Sequence, residues 1–422
     1  MNEKEVAIVL EAVRKHHELY QSCLPMIASE NITSNIVRKL LASDLSHRYA
    51  EGDVGNRYYQ GCEFIDVIEA KAIALAMRLF EAEHVNLKPV SGVLANIAAF
   101  FALGEPFDRV MALSIPNGGH ISYSKYSAAG LRAFKIIEHP FDPEEMNIDA
   151  NEMVRVIRAE KPKIIVFGGS LFLFPHPVSE ARDAADEVGA RIIYDASHVL
   201  GLIAGGFFQE PLREGADVVT GSTHKTFPGP QGALILCRRE LKERVDTAVF
   251  PGTVSNHHLH HIASLAVALA EMLAFGKEYA KATIENAKSL AQALYEAGFN
   301  VLCEHKGFTE SHQVVMDVST LGGGDFAAKI LEKANIIANK NMLPWDREPQ
   351  TPSGLRLGVQ ELTRLGMRPS EMKDIAALIR KVLIERRQPE VVRTEVVELR
   401  RNFQKVHFCF DSDSGDAYEC PV

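Results

Sequence analysis

An aspartate and a lysine thirty residues apart carry the sharpest chemistry in this sequence. They are Asp195 in Tyr194-Asp195-Ala196-Ser197-His198 and Lys225 in Gly221-Ser222-Thr223-His224-Lys225-Thr226. A lysine amine forms a Schiff base with an aldehyde, and a buried carboxylate keeps a pyridine nitrogen protonated so that the ring accepts electrons from a carbanion. Together the two roles describe a pocket for pyridoxal 5'-phosphate. Taken singly, Asp195 reads equally well as a strand-end cap and Lys225 as a solvated lysine. Their context separates the readings. Ile192-Ile193-Tyr194 and Val218-Val219 predict buried strands, which puts both residues just beyond strand carboxyl ends, where α/β sheets bind ligands.

Further residues fit that pocket. Ser91-Gly92 opens a helical segment whose free backbone N–H groups and positive dipole end suit a phosphate. Ser222 and His224 flank the lysine with a hydroxyl and an imidazole. His120, after Asn117-Gly118-Gly119, falls past the strand ending at Leu113, on the edge where a cofactor ring would stack. Arg356, in Pro352-Ser353-Gly354-Leu355-Arg356-Leu357-Gly358, offers a guanidinium fork matched to an amino-acid carboxylate, although a surface arginine is the default reading.

The elements that must position these residues follow from the apolar pattern. A first helix through Val6 to Tyr20, broken at Cys23-Leu24-Pro25, reads as an arm. From about Glu69 helices and strands alternate: a helix to Phe80, another after Ser91-Gly92, then strands at Arg109 to Leu113, Ile164 to Phe167, Arg191 to Tyr194, Asp217 to Thr220 and Ala233 to Cys237. That alternation predicts an α/β fold with a mostly parallel sheet covered by helices on both faces. After a long helix through Ala263 to Phe275 the pattern changes, and Gln313 to Val318 reads as a half-buried strand between helices, which predicts a second, smaller α+β domain beginning near Gly276. One more helix follows Gln388-Pro389 and ends near Phe403, before a loosely ordered acidic stretch from Asp411 to Asp416.

Composition excludes several function classes. With 422 residues, 46% hydrophobic and 24% charged, the chain has the usage of a globular protein large enough for two domains. Its richest apolar stretch, Val93 to Gly104, ends at Glu105-Pro106, short of a membrane span, and the charged start Met1-Asn2-Glu3-Lys4-Glu5 shows no secretory signal. A cytoplasmic location is expected. Six scattered cysteines without a C-x-x-C pair argue for reduced thiols over zinc or a disulfide framework. A net charge of −9 disfavours nucleic acid or an acidic membrane as a partner.

Additional motifs carry a resemblance to a known family. Ile27-Ala28-Ser29-Glu30-Asn31, His47-Arg48-Tyr49-Ala50-Glu51-Gly52, Asn56-Arg57-Tyr58-Tyr59-Gln60-Gly61-Cys62-Glu63, the lysine segment and Pro352 to Gly358 stand in the order found in serine hydroxymethyltransferases. The chain resembles that family over nearly its whole length, and most closely its archaeal branch. The resemblance implies a pyridoxal enzyme of fold type I, with a seven-stranded sheet. It implies an arm over residues 1–27, a large domain over 28–276 and a small domain over 277–422. It also implies a homodimer or larger assembly with shared active sites. In that picture Lys225 carries the cofactor, Asp195 meets its ring nitrogen, His120 stacks on the ring and Arg356 holds the substrate carboxylate. Ser170 and His198 lie around the ring oxygen and substrate. Ser29, Tyr49, Glu51, Tyr58 and Tyr59 match positions near amino acid and cofactor, several of them given by the partner subunit. Ser255 and Asn256 fall where backbone groups serve the neighbouring subunit's phosphate.

The implied reaction is reversible interconversion of serine and glycine, the one-carbon unit passing to or from a reduced pterin. Glu51 is the expected proton carrier, with a partly shielded carboxyl; its bland alternative is a carboxylate paired with Arg48 or Arg57. Against the common bacterial and eukaryotic pattern, Val93 replaces a second serine after Ser-Gly, Gln231 replaces an arginine, and a glycine-rich turn becomes Thr253-Val254-Ser255-Asn256 followed by His257-His258-Leu259-His260-His261. That histidine run invites a metal, since His257 and His261 would share a helical face, but without a nearby carboxylate pattern no metal is expected. Asn341 and the loop Ile115 to Ile121 match pterin-contacting positions and leave tetrahydrofolate and a methanopterin-type carrier equally open. Two other classes stay in view: a pyridoxal aldolase of threonine-like 3-hydroxy amino acids, and a non-catalytic scaffold, which predicts loss of Lys225, Asp195 or Glu51.

Overall fold

The computed structural model describes residues 2–412 and 415–420, so Asp413 and Ser414 of the acidic tail lie outside the described residues. Contacts divide the chain into two units, residues 36–281 and residues 1–35 with 282–422.

Residues 36–281 are built on a seven-stranded sheet. Its strands are β1 (His84–Asn86), β2 (Arg109–Ala112), β3 (Lys135–Glu138), β4 (Ile164–Gly168), β5 (Arg191–Asp195), β6 (Val218–Ser222) and β7 (Ala233–Cys237), in the order β1-β7-β6-β5-β4-β2-β3. Strands β6, β5, β4, β2 and β3 pair in parallel, while β7 runs antiparallel to both its neighbours. Every residue of β4, β6 and β7 is buried, which is why these segments read as continuous apolar runs without the alternation of a one-sided sheet. One face gives Val110, Ala112, Ile164, Val166, Ile193, Val218 and Ile235 to a core completed by Ala95, Ala98, Ala99 and Phe100 of the helix Gly92–Leu103. Alternate strand residues meet small helix residues there, so the helix backbone lies close to the sheet.

In the other unit, strands β8 (Asn300–Val301), β9 (Gln313–Asp317), β10 (Asn339–Asn341) and β11 (Gly354–Gly358) form an antiparallel sheet in the order β8-β9-β11-β10. Val314, Met316, Leu355 and Leu357 pack with Ala327, Leu331, Ile375 and Ile379 of the helices Gly323–Lys333 and Pro369–Leu383. The N-terminal helix runs Asn2–Ser22, and Leu24–Pro25 pairs in parallel with Ile336–Ile337.

Two expectations are corrected. The long helix spans Leu259–Glu296 and passes through Gly276 without a break. A Cβ on Gly205 would lie 2.4 Å from the Gly276 carbonyl oxygen, so Gly205 packs closely on the helix there, while a Cβ on Gly276 itself would come nearest to Met272 Cε, at 3.0 Å. The same helix contains a window long and apolar enough to cross a membrane, contrary to the expectation that none approaches that length, and over half of the window is buried inside the protein as core. Past the acidic stretch Asp411 to Asp416, Ala417 and Tyr418 join Ile32, Leu365, Val406 and Cys409 in a buried cluster. None of the six cysteines is in a disulfide, and five of them are buried.

Candidate active site

Strand β5 ends on Asp195, which lies opposite Gly168 of β4 and Thr220 of β6. Gly168 has φ +95°, and a Cβ there would stand 2.1 Å from the Asp195 carbonyl oxygen, so only glycine lets β4 end beside the aspartate. The carboxylate accepts from Asn96 Nδ2 at 2.9 Å, Tyr123 Oη at 2.7 Å and the Ser197 backbone N–H at 3.0 Å. Burial works to raise its pKa. His120, the Asn96 amide, Lys225 and the Ser197 bond outweigh burial and hold the group below the usual carboxylate range. A buried carboxylate kept ionised is the counter-ion that a protonated ring nitrogen would need.

The lysine segment is fixed on both sides. Thr223 Oγ1 donates to the Pro230 carbonyl at 2.7 Å, while Thr226 Oγ1 donates to the His198 carbonyl at 2.8 Å and accepts from Gly201 N–H at 3.0 Å. Tyr279 Oη donates to the Thr226 carbonyl at 2.9 Å. Burial first, then the Lys225 charge, pulls His224 down to about 4, so its ring is neutral, and its Nδ1 is buried without a hydrogen-bond partner.

Ser91 caps the helix Gly92–Leu103, its side chain accepting from Leu94 N–H at 3.3 Å. A Cβ on Gly92 would come within 2.5 Å of Ser222 Oγ, and Ser222 Oγ donates to Ser197 Oγ at 3.1 Å. A helix N-terminus, two serine hydroxyls and a glycine with room for nothing larger therefore meet at one point, a donor set matched to a phosphate. His120 caps the short turn Ile121–Tyr123, with Nδ1 2.8 Å from Ser122 Oγ. His198 is buried, and Ser170 N–H donates to the Gly118 carbonyl at 2.7 Å, tying its loop to the turn before His120.

A second group gathers around Glu51. Ser255 Oγ donates to the Glu51 carboxylate, while Asn256 accepts from Ala50 N–H at 3.1 Å and donates to the Arg48 carbonyl at 3.0 Å. The bland alternative for Glu51 is not realised in its hydrogen bonds: Arg48 is bonded to Asp44, and Arg57 to Asp66 and Glu69. Tyr49, Tyr58 and Tyr59 are 53%, 71% and 43% exposed, with Tyr49 and Tyr59 rings 5.3 Å apart. The histidine run is corrected as well. His257 precedes the helix that starts at Leu259 and lies 3.1 Å from the buried Glu69, so a carboxylate does stand beside it, already shared with Arg57. Gln231 offers its carbonyl to His261 Nδ1.

In the other unit Arg356 lies in the middle of β11, facing Val315 of β9 and Asn339 of β10, a buried strand where the turn-forming composition had hidden one. Its Nε and Nη2 donate to Asn339 Oδ1 at 3.4 and 3.2 Å, and burial pulls its pKa down to about 10. Ser29 belongs to the turn after Ile27, where Gln360 Nε2 donates to the Ile27 and Glu30 carbonyls and His312 to that of Ala28. Asn341 ends β10, its amide turned to the Met342 carbonyl.

Sequence reasoning missed Asn96, Tyr123 and Ser197, the donors to Asp195. Asn96 left a signal: it is a polar residue in the otherwise apolar helix Gly92–Leu103, one turn from Gly92, and it is 2% exposed. Tyr123 left none, because its reach to Asp195 depends on the fold.

Comparisons with known proteins agree over this length. The profile described as serine hydroxymethyltransferase matches residues 2–379. A serine hydroxymethyltransferase of Methanocella arvoryzae is 59% identical over 417 residues, 98% of each chain. That of Methanopyrus kandleri is 58% identical over 420 residues, 99% of this chain and 98% of its own, and that of Archaeoglobus fulgidus 53% identical across 100% of this chain and 95% of its own. Matches that run end to end at these identities leave one conclusion: the chain belongs to the serine hydroxymethyltransferase family.

Proposed function

We propose that this protein interconverts serine and glycine, passing the one-carbon unit to or from a reduced pterin, with pyridoxal 5'-phosphate held at the ends of β5 and β6. The observation that carries the reading is Asp195, buried and kept ionised beside Lys225 and His120. When bound, pyridoxal phosphate supplies an electron sink for the bonds at the amino-acid Cα.

The residues divide the remaining work. Lys225 supplies the amine that tethers the cofactor, and Asp195, oriented by Asn96, Tyr123 and Ser197, keeps a negative charge at the ring nitrogen. Ser91, Gly92, Ser222 and His224 bind the phosphate, His120 covers the ring, and Ser170 and His198 lie around its oxygen. Arg356 takes the serine carboxylate, with Ser29, Tyr58 and Tyr59 around the amino acid. Glu51 exchanges a proton with the serine hydroxyl oxygen, and the Ser255 hydroxyl fixes the carboxylate from which it acts. Asn341 and the Ile115 to Ile121 loop face the pterin.

The reading includes a homodimer or higher assembly, and the same segment supports it. Tyr49, Tyr58 and Tyr59 expose large aromatic rings next to Glu51, which supports a role for them, with Ser255 and Asn256, in the site of a second copy. The reading includes fold type I with an arm over residues 1–27, a large domain over 28–276 and a small domain over 277–422. In its support, the seven-stranded sheet lies wholly between His84 and Cys237, and the four-stranded one between Asn300 and Gly358. Buried thiols outside any disulfide fit a cytoplasmic enzyme.

The test is glycine formation from serine with tetrahydrofolate and with tetrahydromethanopterin, in the wild type and in Lys225→Ala. Turnover with one pterin, lost by a factor on the order of 10³ or more in Lys225→Ala, is expected. A wild type that binds no pyridoxal phosphate, or a Lys225→Ala protein with normal multiple turnover, removes the assignment.

A further inference from the structure

Beneath Glu51 lies a buried charged cluster that the reaction does not use. The Arg57 side chain is 4% exposed, that of Glu69 3% and that of His257 1%. Arg57 Nε donates to Asp66 at 2.7 Å and Nη2 to Glu69 at 2.6 Å. Its remaining Nη1 donates to two backbone carbonyls, Ala50 at 2.7 Å and Gly52 at 2.9 Å. Those carbonyls belong to the residues on either side of Glu51. His257 completes the cluster through Glu69, and the tripeptide it ends touches the same stretch three times. Ser255 meets the Glu51 carboxylate, Asn256 brackets Arg48 and Ala50, and His257 meets Glu69.

We propose that Glu69 and His257 are positioning residues for Glu51, acting through Arg57 on one side and through the Ser255–Asn256 segment on the other. A guanidinium can grip two carbonyls only while its other edge is held, and Glu69 and Asp66 hold it. Glu69 is held in turn by His257. Burial pushes the Glu69 carboxyl up, but His257 and Arg57 overcome it and keep the group ionised below its usual range. Removing one member leaves a buried charge uncompensated, and the strain passes to the backbone around Glu51. A displacement of about 1 Å at a proton-transferring group costs on the order of 100-fold in rate. Lys88 adds a second hold on the Gly52 carbonyl at 2.9 Å, so the segment shifts when the cluster fails but does not unfold.

The proposal rests on Glu51 being the proton carrier, and the test separates the two ideas. Glu69→Gln, His257→Leu and His257→Gln are compared with Glu51→Gln for serine-to-glycine conversion with the preferred pterin and for allo-threonine cleavage, at matched cofactor loading. Glu69→Gln and His257→Leu are expected to lose about 10- to 100-fold in kcat for transfer, with KM for serine and the cleavage rate within about threefold of wild type. His257→Gln, which keeps an N–H donor toward Glu69, is expected to recover most of the loss. Folded Glu69→Gln and His257→Leu proteins with wild-type transfer overturn the proposal, as do equal losses in transfer and cleavage. Full transfer in Glu51→Gln instead removes the proton-carrier reading. Should the variants fail to fold, amide exchange in the wild-type holoenzyme decides: residues 48–58 must exchange as slowly as the helix Glu63–Phe80, and fast exchange there overturns the anchor.

Discussion

Asp195 and Glu361 are both carboxyls buried from solvent, one at the end of β5 and the other in the helix Gln360–Arg364, and the protein drives them in opposite directions. Burial pushes Glu361 up to about 7, a hydrogen bond from Tyr418 and the Arg400 charge work against it, and Glu30 adds to the rise. At Asp195 the same burial is overcome by a histidine, an amide, a lysine and a backbone N–H. Depth does not distinguish the two sites; the supply of donors and cations does. Glu361 is a proton holder that pins Tyr418 of the tail. Asp195 is held as a charge by its donors and by His120 and Lys225.

The largest effect that tests this contrast is at Asp195. Asp195→Asn keeps shape and hydrogen-bonding capacity but removes the charge, leaving a bound ring nitrogen without its counter-ion. Breaking a buried ion pair costs roughly 3–5 kcal/mol, so turnover of serine should fall by roughly 10²- to 10⁴-fold. Steady-state assays at saturating cofactor measure it, and activity within tenfold of wild type would mean that the ionised carboxylate is not what the site uses.

The contrast also marks what was legible. Asp195 and Lys225 could be read because apolar runs of β5 and β6 lead straight to them, and a run fixes where a strand ends. The sheet strands at Arg109, Ile164, Arg191 and Ala233 were legible for the same reason. Strands β1 and β3 were not: three and four residues long with half-buried or exposed positions, they carry too little pattern. Strand β11 was masked by the turn-forming residues before it. Gly276 misled because glycine marks either a break or a close approach, and sequence does not tell which. The Asn96 and Tyr123 bonds to Asp195, the Arg57-Glu69-His257 cluster and the Glu361-Tyr418 bond all join residues between 12 and 188 positions apart, a matter of topology that local pattern does not carry.

Glu361 should show itself in stability. With a folded pKa of about 7 against an ordinary value of 4.5, the folded state holds the proton more tightly than the unfolded chain. Stability from this group is therefore complete below about pH 4.5 and is lost as pH rises to about 7, up to roughly 3 kcal/mol in all. Glu361→Gln keeps an acceptor for Tyr418 and cannot ionise. Its denaturant midpoint should match wild type near pH 4.5 and exceed it at pH 8. A difference independent of pH would mean that Glu361 does not titrate in this window.

The smallest effect sharpens the comparison most, because it moves Asp195 part of the way toward Glu361. Tyr123→Phe deletes one of the three donors to the Asp195 carboxylate and leaves Asn96 and the Ser197 N–H in place. Tyr123 is 1% exposed, so its ring packing survives in phenylalanine while the hydroxyl alone is lost. A hydrogen bond to a charged group contributes about 1.5–3 kcal/mol, of which the two remaining donors should recover part. Affinity for pyridoxal phosphate should then weaken by about 5- to 10-fold, just under that range. The low-pH limb of cofactor binding should also move upward, since one force holding the carboxylate ionised has gone and burial pushes the other way. Cofactor titrations at several pH values measure both changes. An Asn96→Leu protein should show the same two shifts, and the pair should couple when combined because both residues bond the same oxygen. Unchanged affinity and an unmoved pH limb in both variants would place the ionisation of Asp195 with His120 and Lys225 alone, and the contrast with Glu361 would then rest on nearby cations and not on donors.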